Sequence, residues 1–190
     1  MAKKGLLIVL SGPSGVGKGT VRKLVFNDKS LNLCYSISMT TREPREKEVE
    51  GLDYFFVSKP VFEKGIKDGE FLEYAQFVGN YYGTPRRYVE TLREEGKNVF
   101  LEIEVQGAKQ VLEKFEDDDR VVSIFLLPPS MEELENRIRG RRTEEEEIVQ
   151  QRLAKARSEI DLAPDYQYNV MNDDIKRAAK EIRSIIKNRL

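Results

Sequence analysis

Leu6-Leu-Ile-Val-Leu10-Ser11-Gly12-Pro13-Ser14-Gly15-Val16-Gly17-Lys18-Gly19-Thr20 is the stretch that decides the fold. Residues 6–10 are an unbroken apolar run, the pattern of a strand buried on both faces of a parallel sheet. A glycine-rich turn follows and opens directly into a helical pattern over residues 17–26. A strand, this turn and a helix, with Gly12, Gly17 and Lys18 at this spacing, read as a phosphate-binding P-loop. The glycines let the backbone curl so that successive N–H groups point at phosphate oxygens, and the helix N-terminus adds its positive end. Lys18 is then placed to bridge the outer phosphates of a nucleotide. The motif usually continues with a Ser or Thr whose hydroxyl ligates Mg²⁺. Here Gly19 stands in that place and Thr20 one position on, so Mg²⁺ is expected to rely on phosphate oxygens and water.

Working outward, further apolar runs recur at residues 99–105, Val121–Leu127 and Tyr168–Met171. Helical patterns separate them at residues 106–115, Met131–Arg139, 144–162 and 174–190. Strands alternating with helices predict parallel βαβ units and an α/β, doubly wound sheet. Ser130 with Glu133, and Thr143 with Glu146, have the spacing of capping boxes at two helix starts. Residues 36–88 break the alternation, being dense in Tyr, Phe, Gly and charge. Short strand-like pieces lie there at residues 54–57 and 71–78, and the segment reads as a small lobe inserted between core elements.

Composition narrows the chemistry. The 190 residues suffice for one domain, taken as 1–190 with a core of 1–35 and 89–190. The chain has no His, which excludes imidazole acid–base catalysis and His metal sites. Cys34 is the lone cysteine, so no internal disulfide forms, and it reads as buried apolar filler beside Tyr35 and Ile37. Basic and acidic residues nearly cancel, 32 against 33, so no global field draws the chain to nucleic acid or to an anionic membrane. No obligate protein partner is evident. Met-Ala-Lys-Lys-Gly runs straight into the first strand, too abruptly for a signal peptide, and a cytoplasmic location is expected. A P-loop alone leaves kinase, GTPase and motor open, but a GTPase needs a guanine-reading Asn-Lys-x-Asp segment and none exists here.

The inserted lobe carries Thr40-Thr41-Arg42-Glu-Pro-Arg45, Glu48-Val-Glu-Gly51-Leu-Asp53-Tyr54, Glu70-Phe-Leu-Glu73 and Gly79-Asn-Tyr-Tyr82-Gly-Thr84. In this order and at this separation these segments resemble the guanylate kinase family of P-loop nucleoside monophosphate kinases, over nearly the whole chain. The resemblance implies transfer of the γ-phosphoryl group of ATP to GMP, with Mg²⁺ accompanying ATP. Gly12, Pro13, Ser14, Gly15, Val16, Gly17, Lys18, Gly19 and Thr20 would hold ATP, with Asn172 near its adenine. Ser38, Arg42, Arg45, Glu48, Tyr54, Glu73, Tyr82, Thr84 and Glu102 would hold GMP. The residue chemistry agrees: Arg42 and Arg45 offer planar forks for phosphate, Tyr54 and Tyr82 phenolic donors. Glu73 can accept from guanine N1–H and N2–H while Ser38 donates to O6.

Glu102-Ile103-Glu104 reads as two carboxylates sharing one face of an otherwise apolar strand, at the strand end where ligands of open α/β sheets sit. Glu102 is expected to hold the acceptor base or its arginines, and Glu104 to orient a Mg²⁺-bound water. The segment 137–152 resembles the mobile helical lid of these kinases, with Arg137, Arg141 and Arg152 joining Lys18 as the catalytic cations; Arg139 and Arg142 read as solvated surface. Scaffold modules on the same frame, which bind phosphopeptides without catalysis, are the alternative. Those modules lose the intact P-loop and lid arginines, and this chain keeps both.

Overall fold

The first apolar run forms β1 (Leu7–Ser11), buried along its whole length. The structure is a computed structural model that describes residues 3–140 and 145–190. β1 is the middle of a five-stranded sheet, flanked by β7 (Asn98–Glu102) and β8 (Val121–Leu127), with β2 (Leu33–Tyr35) and β9 (Tyr168–Met171) at the edges. Every pairing in this sheet is parallel. Alternation along the first strand sends Leu6, Ile8 and Leu10 to one face. There they meet Val21 and Val25 of α1 (Lys18–Val25) and Ala178 and Ile182 of α7 (Ile175–Lys187). Leu7 and Val9 go to the other face, against Val89 and Leu92 of α3 (Arg86–Glu94) and Ala108 and Val111 of α4 (Val105–Lys114). Helices cover both faces, as the doubly wound reading requires.

A second sheet of four strands has the order β4-β3-β6-β5, formed by β3 (Ser38–Thr40), β4 (Tyr54–Phe56), β5 (Phe71–Phe77) and β6 (Asn80–Pro85). Phe62 of α2 (Lys59–Lys67) stacks on Phe71 at 4.2 Å and on Tyr81 at 5.2 Å, giving this sheet a small aromatic core. The fourth helix fastens it to the main domain. Lys114 Nζ donates to the carbonyls of Phe71 and Leu72 at 3.0 and 2.7 Å, and the Gln110 amide pairs with both N–H and C=O of Tyr74. The remaining helices, α5 (Met131–Arg139) and α6 (Glu146–Ile160), share their own cluster of Leu134, Ile138, Val149, Leu153 and Ala156. The Ser130 cap is present, its Oγ accepting from Glu133 N at 3.0 Å. Thr143 lies outside the described residues, as do Arg141 and Arg142.

Four expectations need correction. The run 99–105 is not one strand: β7 ends at Glu102, and Glu104 is already the N-cap of the following helix. Ile103 N still donates to Leu10 O at 3.2 Å, but the chain is turning, so Glu102 and Glu104 do not share a strand face. The second strand, only three residues long with none of them fully buried, is a fifth member of the sheet that periodicity did not disclose. Cys34 on it packs against the core as expected but at the sheet edge, where it is half-buried and not buried. The second and third helices were likewise unmarked, and the third crosses residue 88 with Val89 and Leu92 in the main core.

Arg93 is the least expected core residue. Its side chain is fully buried, donating to Gly5 O at 3.1 Å and pairing with Glu90 and Asp118, each at 2.9 Å. It therefore joins the start of the first strand to the third helix and to the turn before β8. Removing one member of such a buried pair strands its partners, a loss of roughly 3–5 kcal/mol. Arg93→Met should accordingly lower stability by about 3 kcal/mol in denaturant unfolding, because Glu90 and Asp118 keep partial access to water. A change below about 1 kcal/mol would contradict this account of the pair.

Candidate active site

The loop after the first strand turns back on itself at positions only glycine tolerates. Gly12 has φ +144°, and a Cβ there would lie 2.5 Å from Leu126 O on the neighbouring strand. Gly17 has φ +100° and caps α1 in the left-handed conformation, with the Asn172 amide 2.8 Å from where a Cβ would sit. Asn172, which the resemblance puts near a donor base, is 5% exposed with its amide turned beneath the loop. Its Nδ2 donates to Val16 O at 2.8 Å, while its own N–H donates to Leu127 O at 2.8 Å. Arg137 joins the same knot, donating to Val16 O at 3.3 Å and Asn172 O at 3.1 Å. Arg152 reaches the loop from α6, donating to Ser14 Oγ at 2.8 Å.

The loop floors a cavity of about 590 Å³. Lys18 folds back over it, Nζ donating to Gly12 O at 2.6 Å and Pro13 O at 3.2 Å. Burial pushes the Lys18 pKa down, and the charges of Glu102, Glu159 and Glu104 oppose that shift. The cavity wall includes Arg22, Lys23, Glu159 and Lys155, none of which sequence reasoning singled out. A signal for the first existed: Arg22 is one turn after Lys18 on the same helix face.

A second cavity of about 420 Å³ lies against the four-stranded sheet, lined by Ser38, Tyr54, Glu73 and Tyr82 among others. Glu73 is 7% exposed and accepts from Thr84 Oγ1 at 2.6 Å. Burial raises its pKa, with the Thr84 hydrogen bond and the Lys114 charge pulling the other way. Gly107 packs closely opposite it, and a Cβ there would fall 2.7 Å from Glu73 Oε2, so the carboxylate would have to shift. Arg42 and Arg45 stand outside this lining, on the turn after β3. Arg42 pairs with Glu48 Oε1 at 2.8 Å and lies over the Tyr54 ring at 5.5 Å. The other Glu48 oxygen accepts from Arg45 N at 2.8 Å, leaving the Arg45 side chain exposed. The Arg42 hydrogen bond, then the Arg45 N–H, lower the Glu48 pKa, so this carboxylate stays charged and holds the turn.

The two cavities meet. Glu102, Ile103, Glu104 and Lys155 line both. Glu102 accepts from Arg22 Nε at 2.6 Å, and the Arg22 guanidinium lies over the Tyr35 ring at 4.2 Å. Glu104 instead accepts from Lys155 Nζ at 2.9 Å, across the cleft on the sixth helix. Of the expected catalytic cations, Lys18, Arg137 and Arg152 gather at the loop, and Arg141 is outside the described residues. A glycine-rich loop with Lys18 folded over it on one side, and a buried carboxylate that can read a polar ring on the other, suit a reaction between two nucleotides.

Comparison with known proteins agrees. The family model described as Guanylate kinase matches residues 4–189. Guanylate kinases of Oceanobacillus iheyensis and Enterococcus faecalis are each 56% identical over 186 residues, covering 98% of this chain and 88% and 90% of theirs. The crystal structure of guanylate kinase from Anaplasma phagocytophilum is similar with a TM-score of 0.74 and 36% identity, over 98% of this chain and 87% of that one. An uncharacterized protein from Eubacterium ventriosum shares the fold at 16% identity, with a TM-score of 0.52 over 97% and 99% of the two chains.

The burial of Glu73 has a consequence for stability. Its folded pKa is raised above the unfolded one, so stability is greatest below the unfolded pKa and is lost as pH rises through the folded value. Glu73→Gln keeps an oxygen for Thr84 and removes the titration. Its melting temperature should exceed that of the parent chain at neutral pH, with the gap closing toward pH 4. A gap that stays constant with pH would show that the carboxylate is not destabilised by burial.

Proposed function

This chain belongs to the guanylate kinase family, and on that premise we propose that its paired cavities transfer the γ-phosphoryl group of ATP to GMP, giving ADP and GDP. The observation that carries the reading is the shared wall at Glu102–Glu104, with a phosphate loop on one side and the buried Glu73 on the other. Residues 12–20 and Lys18 take the ATP phosphates. Asn172 and Arg137 keep the loop in shape, and Arg152 (with Arg141, outside the described residues) brings positive charge from the lid, residues 137–152. The second sheet, residues 36–88, is the acceptor lobe. Ser38 and Glu73 read guanine, Thr84 orients Glu73, and Tyr54, Tyr82, Arg42 and Arg45 take the GMP phosphate, with Glu48 holding their turn. Glu102 acts indirectly, by fixing Arg22.

Phosphoryl transfer needs positioning and charge neutralisation more than covalent help, so the lack of histidine is no obstacle. Lys18 offers a donor that already sits over the loop, and the backbone N–H groups and lid arginines add charge around the equatorial oxygens. Closing the lobes over the cleft excludes water and spares ATP from hydrolysis. No group of three His, Cys, Asp or Glu able to hold a metal occurs among the described residues. Glu102, Glu104 and Glu159 line the phosphate cavity singly and not as a metal cluster, so a Mg²⁺ arriving on ATP would be held chiefly by phosphate oxygens and by its own waters, with these carboxylates reached through water. The ion would supply positive charge against the phosphates of ATP. Among the described residues no helix is long and apolar enough to cross a membrane.

AMP in the GMP pose would leave Glu73 facing a lone pair at N1, and sites built on buried polar groups reject such analogues by ~10⁴–10⁵. The test is ADP formation against GMP, AMP, CMP and UMP, for the parent chain and two variants. GMP should be the preferred acceptor. Lys18→Met should lose ~10²–10³ in kcat, whereas Glu73→Gln should lose kcat/KM for GMP with ATP affinity nearly unchanged. Equal use of AMP, or a Glu73→Gln variant with parental GMP preference, would sink the assignment.

A further inference from the structure

We infer that Lys155 is a further catalytic residue, contacting the phosphoryl group as it crosses from one cavity to the other. The inference rests on the nucleotide assignment above. Lys155 lines both cavities, and it is the sole cation among the described residues lining the second, where Arg42 and Arg45 are absent. Its ammonium therefore sits at the seam where a triphosphate on the loop and a monophosphate in the acceptor cavity must meet. It also lines the phosphate cavity together with Lys18, so two ammonium groups face the same space.

The side chain is held for this use and not for the fold. Its partner at 2.9 Å is Glu104, whose side chain is 72% exposed, while Lys155 itself is 52% exposed. A solvated pair of this kind contributes little to stability and is readily exchanged for another anion. The second partner differs. Glu159 is buried, one turn on along the same helix, and its Oε1 is 3.7 Å from the ammonium. It keeps the lysine stem on the cleft face while the outer partner is given up. Arg152, three residues earlier, shares that face and already touches the loop at Ser14, so one helix presents two cations along the path.

In the step itself, the bond between the γ phosphorus and its bridging oxygen breaks, and the electron pair leaves on ADP. An oxygen of the GMP phosphate supplies the pair for the new P–O bond. No proton has to move through Lys155, which acts by charge: it trades Glu104 for phosphoryl oxygens whose negative charge spreads in the transition state.

The experiment compares the full chain with Lys155→Gln and Lys155→Arg, measuring kcat and KM for ATP and GMP at saturating Mg²⁺, with melting temperatures alongside. Lys155→Gln should lose roughly 10² in kcat, with KM for ATP little changed and melting unaltered, and Lys155→Arg should recover most of the loss. Parental kcat in Lys155→Gln, a loss that Lys155→Arg does not recover, or a loss that follows a lowered melting temperature would each overturn the inference. The parent chain in the same assay reports separately on the nucleotide assignment: if it transfers nothing to GMP, that assignment falls and the inference with it.

Discussion

The loop of residues 12–17 can curl over the end of the first strand only because backbone passes within contact of backbone at Gly12. Leu126 O occupies the space a Cβ would need, so the neighbouring strand dictates glycine there. From that contact the rest follows. The curl sets the direction of helix α1, hence the placement of Lys18 and, one turn later, Arg22. Arg22 then holds Glu102 at the end of β7, which is the wall between the two cavities. On the far side the Val16 carbonyl is gripped by Asn172 and Arg137, tying the loop to the last strand and to the fifth helix. The loop is thus fixed from three elements.

The cleft is built from charges that the fold does not need. Lys18 is desolvated, Glu73 and Glu159 are buried carboxyls with raised pKa values, and Glu104 and Lys155 pair across open solvent. Contrast Arg93, equally buried but completely paired, which serves the fold alone. Ionisable groups that are buried and only partly compensated mark a site made ready for a charged, polar ligand, and here they concentrate on the two cavities.

Much of this was legible in the residues. A strand buried on both faces must be continuously apolar, so Val121–Leu127 could be bounded by reading alone, and the edge strand Tyr168–Met171 was bounded too although only Val170 on it is buried. The helix Met131–Arg139 was equally plain because Ser130 caps it. What escaped was set by tertiary contact. Strand β2 is three residues long and half-buried, too little for a period. The third helix buries only Val89, Leu92 and Arg93 and has no capping side chain. Glu104 looked like a strand residue because Ile103 and Val105 beside it are apolar, yet those residues pack beneath a helix start. At the site, Lys18, Glu73 and the loop glycines stood out by motif. Arg22, Lys155 and Glu159 did not, since their meaning depends on which charges the fold brings opposite them.

The central claim is that two nucleotides lie end to end across Glu102–Glu104, one in each cavity. A single molecule carrying adenosine and guanosine joined through a polyphosphate bridge tests it most directly, in a calorimetric titration followed by competition. The account predicts that one such molecule binds per chain and displaces both ATP and GMP. Displacement of only one of them, or independent binding of two bridged molecules per chain, would contradict it.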